Sequence, residues 1–156
     1  MRVRLIYRFP GYGGGMEDVV ETLTRGNVAE VKVLLASIAM ALAVYQLVLI
    51  GVGYGKLRPR FLRAGAASAT HRAAGDAIAL LMLITGVMCL SVYGFEDGAA
   101  VHMVAGSVLL AVLAFKIAVV RRDFGLGRYL PVLGISVFLL LAVTWASSAG
   151  ALLADR

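Results

Sequence analysis

The chain has 156 residues, of which 61% are apolar, with a mean hydropathy of +0.90 and a formal net charge of +6. That is one domain's worth of chain, and a soluble domain of this size cannot cover so much apolar surface. A lone cysteine, Cys89, excludes an internal disulfide and two-cysteine metal motifs, and no phosphate loop, dinucleotide fingerprint, serine-nucleophile motif or zinc cluster occurs.

In chain order, the first fifteen residues are basic up to Arg8 and then run through Pro10 and Gly13-Gly14-Gly15. With no apolar stretch behind the basic start, this is not a signal peptide, and Met16 is the expected natural start. Residues 17–24 alternate charge with Val19, Val20 and Leu23, which predicts a short amphipathic helix lying on the outer membrane surface. Four stretches then carry no formal charge: 33–55, 77–95, 98–115 and 129–154. Each is long enough, or nearly so, to cross about 30 Å of hydrocarbon as a helix. The expected fold is an all-α polytopic membrane protein, a four-helix transmembrane bundle. An extramembrane segment covers 1–28 and the transmembrane domain covers 29–154.

The predicted spans are about 29–54, 72–94, 99–121 and 131–153, with Pro131 in a first turn that tolerates it. Loops 55–72 and 116–130 carry nearly all the basic residues between the spans, whereas the turn near 94–100 carries only Glu96 and Asp97. By the positive-inside rule both basic loops are cytoplasmic and both termini lie outside, in a plasma membrane. The basic excess is then a topology signal with a secondary role toward anionic lipid, and not a nucleic-acid footprint. The shortness of the acidic turn predicts that the second and third spans form a tight antiparallel hairpin.

A pattern occurs twice in those two spans: His71-Arg72-Ala73-Ala74-Gly75 and His102-Met103-Val104-Ala105-Gly106. The two histidines are the only ones, and each is expected to open its helix. A glycine four residues after a histidine puts an imidazole and a side-chain gap on one helix face. Haem b needs that pairing, a nitrogen ligand for the iron and bare backbone for the macrocycle. The alternative is close helix packing through Ala and Gly, with the histidines at interfacial helix ends.

At about 1.5 Å rise per residue the two histidines stand some 30 Å apart in depth, so one monomer cannot clamp one iron between them. Met88 matches the depth of His102 and is the expected opposite ligand, the alternative being a methionine that fills core space. Met40 and Trp145 should reach the same half, with Trp145 marking the interfacial belt. For His71 the partners are a second His71 across a parallel two-fold dimer, or a phosphate or lipid headgroup held with Arg72.

Asp76 and Lys116 each lie just over one turn inside the membrane edge, where unpaired charge is costly. An Asp76–Lys116 ion pair beside His71 is expected, as a proton or quinone-headgroup site. The structural version is Lys116 snorkelling to the surface with Asp76 hydrated at a helix start. Gln46, the other buried polar group, should hydrogen-bond a neighbouring helix or serve a ligand. Ser147 and Ser148 read as packing residues.

The residues His71-Arg72-x-x-Gly75, Tyr93-Gly94-Phe95, His102-x-x-x-Gly106, Lys116, Pro131-x-x-Gly134 and Trp145-x-Ser147-Ser148 span about half the chain. In them the chain resembles an uncharacterised family of four-helix membrane proteins from actinobacteria. More distantly, helix-end histidines with nearby glycines are similar to cytochrome b561 and related membrane haem proteins. That resemblance implies His71 and His102 as metal ligands.

Three functional expectations follow. The first is a b-type haem protein without an independent catalytic site, passing electrons across or within the membrane to a redox partner. His102 and Met88 would ligate the haem, and His71, Asp76 and Lys116 would form an inner site for a second haem or a quinone. The second is a cofactor-free accessory or assembly subunit of a larger membrane complex. The third is a small oligomeric transporter whose path is lined by Gln46, Asp76 and Lys116.

Overall fold

A computed structural model describes residues 15–57, 64–93, 100–122 and 125–154. The expectations for the first fourteen residues and for Glu96 and Asp97 lie outside the described residues. The elements are α1 (Met16–Thr24), α2 (Val28–Gly53), α3 (Ala64–Val92), α4 (Ala100–Arg122), a 3-10 turn (Gly127–Tyr129) and α5 (Leu130–Ala154). Helices α2 to α5 are each long and apolar enough to span a membrane. The expected four-helix transmembrane bundle is what the chain forms.

Successive spans alternate in direction. The starts of α2 and α4 meet the ends of α3 and α5 at one end of the bundle, which also holds α1. The packing partners differ from those expected. Helix α2 packs along α3, α4 along α5, and α2 against α5, whereas α3 and α4 meet only sparsely. The tight α3/α4 hairpin therefore does not form. A short connection holds two helix ends together but does not choose which faces pack. Small side chains do that in hydrocarbon, because they let two backbones approach. Ala36, Ala39 and Ala43 are buried along α2, and Ala67 and Ala74 along α3. One central core draws on all four spans: Ala39 and Ala43, Ile78 and Met82, Leu109 and Leu113, Val137 and Leu141.

Helix α3 begins at Ala64, eight residues before the expected start at 72. The alanine-rich run between Arg63 and Arg72 is a good helix former, and Ala67 is buried in a cluster with Leu49 and Val52. His71 consequently lies inside a helix instead of opening one. Helix α1 forms where an amphipathic helix was expected, but it is docked. Val20 packs with Val28 and Met88 at the bundle's end, while Met16, Val19 and Leu23 stay exposed. It ends in a left-handed turn, with Arg25 at φ 53° and Gly26 at φ 78°, where the Gly26 N–H donates to the Glu21 carbonyl at 3.0 Å.

Ala39 is fully buried and Ala41 is exposed. Ala39→Leu should therefore force the spans apart and cost about 1–3 kcal/mol, read as a lower melting temperature in detergent. Ala41→Leu should leave the melting temperature unchanged.

Candidate functional site: two histidine sites at opposite ends of the bundle

His102 is the third residue of α4 and faces α5. Its Nδ1 lies 2.9 Å from Ser147 Oγ and 3.2 Å from Ser148 Oγ. Ser147 Oγ in turn donates to the Thr144 carbonyl at 2.9 Å. One residue along, Trp145 Nε1 donates to Ser37 Oγ of α2 at 2.9 Å. The last turns of α5 are thus tied to α4 on one side and to α2 on the other. Ser147 and Ser148, expected only to pack, orient the imidazole, and Trp145 links two helices. Their signal in the sequence was depth: residues six or seven positions before the end of α5 come level with the third residue of α4. Lys32 of α2 serves the same end, with Nζ 4.4 Å from the Tyr93 ring centroid and its charge acting on both His102 and Cys89.

Beneath His102 lies a cavity of about 120 Å³ between α3 and α4. Met82, Thr85, Gly86 and Cys89 form its α3 wall, His102, Met103 and Gly106 its α4 wall, and Thr144 and Ser148 of α5 its back. The lining includes the exposed Leu90 and Ser107, so the cavity opens sideways between the two helices. Gly86 sits where Leu110 crosses from α4, and a Cβ on it would come within 3.2 Å of Leu110 Cδ1.

The opposite end is organised by Gln46. This buried amide donates from Nε2 to the His71 carbonyl at 3.2 Å, the helix-to-helix bond expected of it. Gly75 makes room for it, since a Cβ there would lie 3.2 Å from Gln46 Nε2. His71 Nδ1 is buried with no hydrogen-bond partner among the described residues. The charge that acts on His71 is that of the half-buried Lys116.

Two expected pairings are corrected. No Asp76–Lys116 ion pair forms: Asp76 is exposed. Gly75 faces Gln46 on α2, and one further residue turns a helix by about 100°, which carries Asp76 away from the packed face. Met88 does not join His102. It is buried with Val20 and Val28, against Val31 and Leu35, while its neighbour Cys89 takes the cavity side. Depth was matched, but rotation about the helix axis was not.

These positions decide how a haem would sit. His71 and His102 are at opposite ends, as their depths required, and Met88 faces α1. The glycine gap of the first H-x-x-A-G is taken by Gln46, and that of the second faces Thr144 of α5, 3.9 Å from a Cβ at Gly106. Among the described residues no group of three or more His, Cys, Asp and Glu side chains could hold a metal ion. An engineered protein cavity of ~150 Å³ accepts benzene, so the space beside His102 suits a single ring and not a tetrapyrrole. The expected His102–Met88 axial pair does not come together within one chain.

The model of a family of unknown function, DUF6529, matches residues 12–155. The chain belongs to that family. The match covers all four spans, both histidines and the α3/α4 cavity. No curated protein and no solved structure matches the chain.

Gln46 and Gly75 should behave as one unit. Gly75→Ala should lower stability by pressing on the Gln46 amide, and Gln46→Ala should cost about 0.6 kcal/mol through the lost interhelical bond. In the double variant the Gly75→Ala penalty should shrink, because the amide it pressed on is gone. Thermal unfolding of the three variants in detergent checks the cycle.

Proposed function

We propose that the protein is a quinone-binding subunit of a membrane redox system, holding the ring of a lipid-soluble carrier in the α3/α4 cavity. One observation carries this reading: a ring-sized, largely apolar cavity within the spans opens sideways and has an imidazole in its wall. A few convergent polar groups on an apolar lining are the usual composition of a small-molecule site. Here they include His102, Thr85, Ser107, Thr144 and Ser148. A carrier dissolved in the bilayer reaches such a cavity without leaving hydrocarbon. The electron donor or acceptor belongs to a partner in the same membrane, which unites the electron-transfer and accessory-subunit expectations.

The other expectations have less behind them. For haem b, the expected second ligand Met88 faces α1 and the gap at Gly75 is taken by Gln46. A transport path through Gln46, Asp76 and Lys116 loses two members, since Gln46 is engaged by His71 and Asp76 points outward. The proposed orientation keeps the Lys116, Arg121 and Arg122 end cytoplasmic and the Glu17, Asp18, Glu21 and Glu30 end outside, in the plasma membrane.

The test is titration of the protein in lipid nanodiscs with a short-chain benzoquinone, read by quenching of Trp145 fluorescence. Saturable binding is expected, weakened on the order of tenfold or more by Thr85→Phe, which fills the cavity, and unaffected by Ala41→Leu. Equal binding by Thr85→Phe would place the carrier elsewhere and overturn the reading. A Soret band that disappears in His102→Ala would replace it with the haem reading.

A further inference from the structure

The hydrogen bonds behind His102 determine which face of the imidazole the cavity receives. Ser147 Oγ has one proton, and it is donated to the Thr144 carbonyl at 2.9 Å. Toward His102 that oxygen can therefore offer only lone pairs. The 2.9 Å contact between Ser147 Oγ and Nδ1 then needs its proton on the imidazole, so Nδ1–H donates to Ser147. The surroundings of Nδ1 agree. Ser148 Oγ lies 3.2 Å away with lone pairs of its own. A neutral imidazole carries one N–H only, so Nε2 is a bare acceptor. Among the described residues nothing donates to Nε2, and His102 lines the cavity.

We propose that His102 makes the site selective for the reduced, hydroxyl-bearing form of the ring, a quinol, over the oxidised quinone. The inference rests on the ring-binding reading and refines it. A quinol offers O–H groups, and one of them donates to Nε2. A quinone offers only carbonyl oxygens, so the same approach sets acceptor against acceptor inside an apolar cavity. A site built to hydrogen-bond a particular group rejects the analogue lacking it, because the buried polar atoms are left unpaired. Thr85 does not rescue the oxidised form, since its hydroxyl proton is donated within α3 to the Leu81 carbonyl at 2.8 Å. Thr144 likewise directs its hydroxyl to the Leu140 and Leu141 carbonyls, each at 3.0 Å. The Thr85 and Thr144 hydroxyls are thus committed to their own backbones, and the hydrogen-bonding capacity that His102 adds to the cavity is on the accepting side.

The experiment compares the dissociation constants of one short-chain benzoquinone and its hydroquinone for the full chain in nanodiscs, under anaerobic conditions and at neutral pH. The quinol is expected to bind on the order of 10-fold tighter. In His102→Gln, whose amide can turn either a donor or an acceptor to the ring, that ratio should fall to about one. Equal affinities in the unaltered protein, or a tighter quinone, overturn the selectivity and leave ring binding standing. Saturable binding of neither form overturns both. The tautomer has its own readout that does not depend on any variant folding. The chain holds two histidines, so 15N-histidine labelling gives two ring-nitrogen pairs, and a proton on Nε2 of His102 instead of Nδ1 would overturn the inference directly.

Discussion

In hydrocarbon no aqueous driving force tells one apolar helix from another, so the partner of each helix is chosen by how closely backbones can approach. Here that choice is made by α2. Its buried alanines, Ala36, Ala39 and Ala43, recur at three- and four-residue spacing on the packed side, and α2 packs against both α3 and α5. With α2 between them, α3 and α5 take separate flanks, and α4 is left leaning on α5. The cleft between α3 and α4 is the residue of that arrangement. It persists because Gly86 and Gly106 bring no side chains into it, and only Leu110 reaches across to Gly86.

The second constraint is that polar groups buried in a membrane must find partners inside the protein. At one end Gln46 bonds the His71 carbonyl; at the other, His102 bonds Ser147 and Ser148 while Trp145 bonds Ser37. Each contact joins two different helices, so together they set the heights at which smooth apolar helices stop sliding. They have a chemical consequence as well. Gln46 occupies the gap that Gly75 leaves, which removes it as a ligand cradle. The serines of α5 hold one nitrogen of His102, whose ring lines the cavity. Two copies of the same five-residue pattern have become a structural joint at one end and a chemically available imidazole at the other.

What could be read without the structure was whatever depends on one-dimensional order. Charge-free length marked all four spans, alternation of charge with Val19, Val20 and Leu23 marked α1, and the rise per residue separated His71 from His102 in depth. Errors arose where rotation or partner choice mattered. Asp76 and Met88 were placed at the correct heights and on the wrong faces, each displaced by about 100° from a neighbour, Gly75 or Cys89, that faces the bundle differently. The early start of α3 was hidden because flanking arginines at 63 and 72 resemble a loop, while the buried contact of Ala67 with Leu49 and Val52 has no signature in either segment alone.

By itself, the sequence determined a four-span helical membrane protein and the separation of its two histidines, because hydrophobic length and helical rise are local properties of the chain. Only the tertiary structure decided that α3 and α4 stand apart, that Gln46 closes the gap at Gly75, that Asp76 turns outward, and that Ser147 takes Nδ1 of His102. Those outcomes depend on which helix faces which and at what rotation, and in a bilayer that is settled by close packing and hydrogen bonding between segments far apart in the chain.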